Sequence, residues 1–292
     1  MRWDFFSSRA LNDVNRLCYW VALPALLFHR IGGTTPDFAA AGGLLIVVVG
    51  ATLLGILAAG AYAWVAGVAR ASRGAFIQGA FRGNTVFVGL PVVLYAFDAA
   101  GASTTGAESV VLLILGPLLV IYNITAVVLL SFSSGAVMNR QSLREAAFGV
   151  LVNPILLGCM AGLLFSASGA ALPAFADRTL GTLGSMAFPL ALICIGGALY
   201  LTPIRGSLGL ATISALMKVA LLPVIGLGLA VWIGLGHEEQ VIAVILLASP
   251  TAAASYVLTR QLNGDDAMAS GVILLSHLLA IPAFAILLML LR

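Results

Sequence analysis

Two short stretches carry the residues best suited to chemistry. The first reads Arg82-Gly83-Asn84-Thr85-Val86-Phe87-Val88-Gly89-Leu90-Pro91, and the second Ala248-Ser249-Pro250-Thr251-Ala252. Each sets amide or hydroxyl side chains beside glycine or proline inside a long apolar run. Proline lacks a backbone N–H and its ring clashes with the preceding turn, so it interrupts a helix. In hydrocarbon the freed amides and carbonyls find no water, and such backbone survives only where protein buries it or it lines a cavity. An interrupted helix also offers unpaired N–H groups and a positive dipole end, which suit a carboxylate or another anion. The candidate binding residues are Asn84, Thr85, Gly89 and Pro91 in the first stretch and Ser249, Pro250 and Thr251 in the second. Arg82, within a turn of Asn84, and Lys218, the single lysine, are candidate charge contacts. Plainer roles compete with these. Prolines kink packed helices, Arg82 can snorkel to the membrane face, and Lys218 can meet a buried partner.

The elements that hold these stretches follow from composition. Of 292 residues 61% are hydrophobic and 9% charged, against about 25% charged in a soluble domain. The mean hydropathy is +1.11. Apolar runs occupy about 14–31, 38–68, 74–97, 107–132, 146–166, 179–201, 207–235, 240–262 and 268–291. A helix needs about 20 such residues to cross the hydrocarbon. An all-α polytopic membrane protein is therefore expected. The net charge of +3 contains no basic cluster that could track phosphates, so nucleic acid is excluded as a partner. Cys18, Cys159 and Cys194 lie in apolar runs without metal-ligand spacing, and no metal or cofactor is expected. Residues 1–13 lack the apolar core of a signal peptide.

Arginine placement sets the orientation. If the 133–145 connection, with Arg140 and Arg144, is cytoplasmic, alternation puts Arg2, Arg9, Arg70, Arg73, Arg205 and Arg260 on that side. Asp37, Asp98, Glu108, Asp177, Glu238 and Glu239 fall opposite. A shift of about 165 residues brings Pro24 onto Pro189 and Asn84-Thr85 onto Ser249-Pro250. Matching helices lie an odd number of spans apart, which makes this an inverted repeat, a construction common among secondary transporters. The expected organisation is a first repeat of four helices (1–132), a cytoplasmic connection (133–145) and a second repeat of five (146–292). The counterpart of 146–166 would precede Met1. A start assigned too late, or a nine-helix variant, accounts for that gap.

The stretch from Gly83 to Pro91 resembles the fourth-helix motif of the auxin efflux carrier family, which includes plant auxin exporters and bacterial permeases for malonate and related acids. Val21–Arg30 with its Leu23-Pro24 and Phe28-His29, Val152-Asn153-Pro154, and 248–266 followed by 269–282 agree with it. The resemblance runs from Asn12 to the C-terminus. It implies ten helices in two inverted five-helix repeats, crossing helices four and nine, and a substrate held at the crossover. Asn84, Thr85, Pro250, Thr251 and Asn153 then become substrate-binding residues, with the two asparagine amides donating to a carboxylate. The family role is a permease or efflux carrier, and the lipid bilayer and a small organic anion are the expected partners.

None of the eleven acidic residues falls near the centre of a run, so no buried carboxylate is available as a proton relay. An organic anion leaving an inside-negative cell gains about 2.3 kcal/mol per charge per 100 mV, and no coupling ion is required. Sodium coupling of the bile-acid-symporter type stays open, because carbonyls at broken helices can hold Na⁺. So does a non-transporting scaffold descended from a transporter. An enzyme is not expected: H-E-x-x-H and G-x-S-x-G are absent, and His29 and His277 suit interhelical hydrogen bonds. Glycine-rich helices would support a homodimer. The alanine- and arginine-rich usage points to a bacterial cytoplasmic membrane.

Overall fold

A computed structural model describes residues 7–34, 37–99, 104–134, 148, 152–201 and 207–290. The described residues are helical nearly throughout. The expected connection at 133–145 lies, apart from Ser133 and Ser134, outside them. Helix α1 (Ser8–Leu17) runs through a π-helical turn, Cys18–Ala22, into α2 (Leu23–Gly32). Then follow α3 (Phe38–Val65), α4 (Arg70–Phe81), a second π-turn at Thr85–Gly89, α5 (Leu90–Ala99) and α6 (Thr104–Ser134). The second half comprises α7 (Pro154–Ala167), α8 (Ala174–Ser185), α9 (Ala187–Leu201) and α10 (Leu208–Leu216). A third π-turn, Met217–Leu221, leads into α11 (Leu222–Ile233), followed by α12 (His237–Ala248), α13 (Ala254–Gln261) and α14 (Asp266–Leu290).

Five stretches among the described residues are long and apolar enough to cross a membrane: Phe38–Val65, Ser109–Ser133, Ala174–Gly197, Leu208–Ile233 and Asp266–Leu290. The chain is thus a multi-pass membrane protein. At 28 residues α3 is about 42 Å long. It starts where the Asp37 carboxylate accepts from the Ala39 and Ala40 amides at 3.0 Å, satisfying two of the orphan donors of a helix start. Gly234, at φ +81°, ends α11 in the left-handed conformation that glycine adopts without penalty. Trp64 and Trp232, near the ends of α3 and α11, are largely exposed and take the places where indole rings sit at the membrane interface.

All three π-turns have one cause legible in the sequence. Each is followed directly by Leu-Pro, at Leu23-Pro24, Leu90-Pro91 and Leu222-Pro223. The proline ring pushes away the carbonyl four residues back, and the residue before it bonds five residues back instead. Leu23, Leu90 and Leu222 donate to Cys18, Thr85 and Met217. This corrects the expected break in the first stretch. Pro91 widens a turn of helix, whereas the chain leaves helical geometry upstream, at Arg82–Asn84. In the second stretch the break does fall at the proline, between Ala248 and Ala254. The expected run at 179–201 begins earlier, at Ala174, and is interrupted at Met186.

The helices pack in two groups. In the first, α2 lies against α7 and α8, and α1 against α9. Gly158, Gly162 and Gly184 allow this close approach: a Cβ on Gly158 would stand 2.9 Å from the Pro24 backbone, and one on Gly184 2.9 Å from that of Leu26. In the second group α3 packs on α4 as α11 packs on α12, and α6 on α3 as α14 on α10. These are the pairs that the 165-residue shift relates. The groups meet through α2 on α6, α6 on α7, and α9 on the Thr85–Gly89 turn.

Candidate functional site

The two broken helices cross at their unwound segments, and backbone hydrogen bonds join them. The Asn84 amide donates to the Pro250 carbonyl at 2.7 Å, and the Ala252 amide to the Arg82 carbonyl at 2.9 Å. Gly83 and Thr251 form an antiparallel bridge. Extended backbone thus answers extended backbone at membrane depth, where water cannot. Side chains brace the crossing. Thr251 Oγ1 donates to the Gly79 carbonyl at 2.7 Å, and Ser276 Oγ accepts from the Thr251 amide at 2.9 Å.

A cavity of about 770 Å³ opens on one side of this crossing. Its walls come from both helix groups: Asn12, Asn15 and Tyr19 of the α1–π-turn segment, Asn153 before α7, and Cys194 of α9 face Arg82, Asn84, Thr85, Asn123 and His277. The starts of both outgoing half-helices border it, at Thr85–Phe87 and Ala252–Ala254. The first N–H groups of a helix have no intrahelical acceptor, so two positive dipole ends converge there. Among the described residues no aspartate or glutamate lines it.

Among the described residues Arg82 is the one arginine on this wall. It is 7% exposed, so its charge sits inside the protein. Nη2 donates to Asn123 Oδ1 at 2.5 Å, and Asn123 is itself fixed by donating from Nδ2 to the Leu119 carbonyl at 2.9 Å. Nη1 is buried with no hydrogen-bond partner among the described residues, and so is Thr85 Oγ1. Arg82 thus brings a buried guanidinium, held by a neutral amide, to the cavity wall beside two helix N-termini.

The remaining expected residues divide. Asn153 borders the cavity, but its side-chain oxygen caps α7, accepting from Ile155 N at 2.9 Å and Leu156 N at 3.4 Å. Its amide nitrogen alone stays available to a ligand. Gly89, Pro91, Ser249, Pro250 and Thr251 do not line the cavity. Gly89 lets the helices cross closely, since a Cβ there would stand 2.6 Å from Ser249 Oγ. Lys218 lies behind the crossing. Fully buried, it donates to the Leu247 carbonyl at the C-terminal end of α12, and a Cβ on Gly83 would come within 3.2 Å of its Nζ. Its charge meets the negative end of a half-helix. Sequence reasoning passed over Asn12, Asn15, Asn123 and the cavity position of His277. The polar face of α1, with asparagines three apart, carried the readable signal for two of them.

No individual curated protein matches the chain. Residues 1–288, however, match the family described as membrane transport protein, that of the auxin efflux carriers, from the first amphipathic helix to α14. The crossed broken helices and the resemblance carried by Gly83–Pro91 agree with that match, and the chain belongs to this transporter family.

Proposed function

We propose that the chain is a secondary transporter that moves a small organic anion across a bacterial cytoplasmic membrane by alternating access at the crossing of its two broken helices. The observation that carries this reading is buried Arg82 on the wall of a cavity with two half-helix N-termini and no acidic lining among the described residues. An anion there replaces water with a preformed set of donors. The cavity extends toward Asn12, Asn153 and Gln261, the ends that arginine placement assigns to the cytoplasm, so cargo enters from inside. Because both helix groups supply walls, rocking one against the other closes that side and opens the opposite one. Sodium coupling gains no support from the crossing: the Leu247 carbonyl is taken by Lys218, and the Arg82 carbonyl by the Ala252 amide.

The test is binding of labelled phenylacetate and malonate to the purified protein. Saturable binding of either acid is expected, with Arg82→Gln and Asn84→Ala each weakening it about tenfold or more, the worth of a charge-assisted hydrogen bond. Equal affinity in wild type and Arg82→Gln, in folded samples, sinks the reading.

A further inference from the structure

Lys218 lies behind the crossing and is not among the cavity's walls. It is the single lysine of the chain, carried on the π-turn between α10 and α11 and fully buried. Among the described residues no carboxylate pairs with it; the ion pair there joins His29 and Asp177. An ammonium buried without a counter-charge is costly, and here backbone supplies the compensation. The last carbonyls of α12 have no donors within the helix. Ile245 accepts from the Ser249 hydroxyl at 3.0 Å and Leu246 from the Ser249 amide at 3.3 Å. Pro250 has no N–H, and the Thr251 amide, four residues beyond Leu247, donates to Ser276 Oγ instead. The Leu247 carbonyl is thereby left open, and the Lys218 ammonium donates to it.

The first broken helix lies against the same charge. A Cβ on Gly83 would stand 3.1 Å from Lys218 Cε, 3.2 Å from its Nζ and 3.4 Å from the Ser249 carbonyl oxygen. The repeat isolates what is unusual here. The shift that brings Asn84-Thr85 onto Ser249-Pro250 brings Arg82 onto Leu247. The Arg82 carbonyl is met by a backbone amide, that of Ala252, whereas its counterpart at Leu247 is met by a cation reaching in from a third helix. The carbonyl end of a broken helix is the negative end of its dipole, a group that coordinates monovalent cations in carriers of this construction. We propose that the Lys218 ammonium is a tethered cation, standing where a free monovalent cation would otherwise bind, and that a small alkylammonium ion takes its place when the side chain is shortened. This goes beyond the anion reading and concerns a different place in the fold. Its consequence is a crossing whose charge is complete without a coupling ion.

The experiment is thermal unfolding of the purified full chain in choline chloride and in methylammonium chloride at equal ionic strength. Lys218→Ala is expected to unfold below wild type in choline, and methylammonium to raise its midpoint by about 2–4 °C or more, as a ligand of the native state does. Wild type, with the place already filled, does not respond. Lys218→Met, whose chain fills the same space without a charge, unfolds low in both salts. A Lys218→Ala midpoint that is equal in the two salts overturns the proposal, and so does a wild type that methylammonium stabilises as much as the variant. Lys218→Met as stable as wild type overturns it too, and that comparison does not involve the alanine variant. If Lys218→Ala folds only when methylammonium is present, the result is the expected one; if it folds in neither salt while Lys218→Met folds, the proposal falls. The readout uses no organic acid, so its failure leaves the anion reading standing, and a failure of acid binding leaves this proposal standing.

Discussion

Asn153 shows how one side chain divides its work. Its oxygen accepts from two amides at the start of α7, while the residue borders the cavity with its amide nitrogen left over. The two roles separate by substitution. Asn153→Asp keeps the capping oxygen and replaces the donor with a negative charge facing an anion site. Thermal stability is expected to stay close to wild type, since aspartate and asparagine cap about equally well, while affinity for organic acids falls about tenfold or more. Parallel unfolding and binding measurements check both halves. A variant that binds acids normally would remove Asn153 from the site. Arg82 works the other way round: its partner Asn123 is neutral, and no acidic side chain pairs with its charge among the described residues.

At the scale of elements, the crossing depends on what terminates each half-helix. Lys218 completes the end of α12 by donating to the Leu247 carbonyl. Lys218→Met removes that donor and leaves a buried carbonyl unpaired, at a cost of about 1–3 kcal/mol. A lowered unfolding temperature in detergent is the expected result, and unchanged stability would show that the carbonyl finds another partner. Close helix contact supplies a second case. Gly158→Ala drives a methyl group into the Pro24 backbone, which cannot swing aside, and should cost about 1–3 kcal/mol by forcing α2 and α7 apart. Gly228→Ala on α11 meets nothing within 4 Å and gains helix propensity, up to about 1 kcal/mol. Thermal unfolding of the two variants should therefore move in opposite directions.

For the whole molecule, the cavity lies between one group formed by α1, α2, α7, α8 and α9 and a second formed by α3 to α6 and α10 to α14. Relative movement of two bodies around a site between them is how inverted-repeat carriers alternate access. An anion carried outward without a coupling ion should respond to voltage. In vesicles loaded with a labelled acid that the protein binds, an inside-negative potential should speed efflux, because each 100 mV contributes about 2.3 kcal/mol per charge. Efflux indifferent to the imposed potential would point to charge compensation by a co-transported cation. Tyr95 of α5 and Phe188 of α9, with ring centroids 6.4 Å apart, mark a contact between the groups that such movement must rearrange.

Much of this was determined by the sequence alone. Nine apolar runs and few charges dictate a helical membrane protein, because hydrocarbon admits only structures that satisfy their own backbone. The 165-residue repeat and the polar interruptions within two runs mark where helices break. Each Leu-Pro that follows a π-turn is a local event of one missing N–H and one displaced carbonyl. The tertiary structure decided the rest. Whether Arg82 snorkels or stays inside depends on Asn123, 41 residues away, and whether Lys218 meets a ligand or a carbonyl depends on the end of α12. Chain-local patterns encode neither contact, since each is set by how two distant segments cross. The division between Thr85, which faces the cavity, and Thr251, which braces the crossing, has the same origin. Both hydroxyls sit in similar sequence settings, and only the way the two half-helices cross puts Thr85 on the cavity wall and sends the Thr251 hydroxyl to the Gly79 carbonyl.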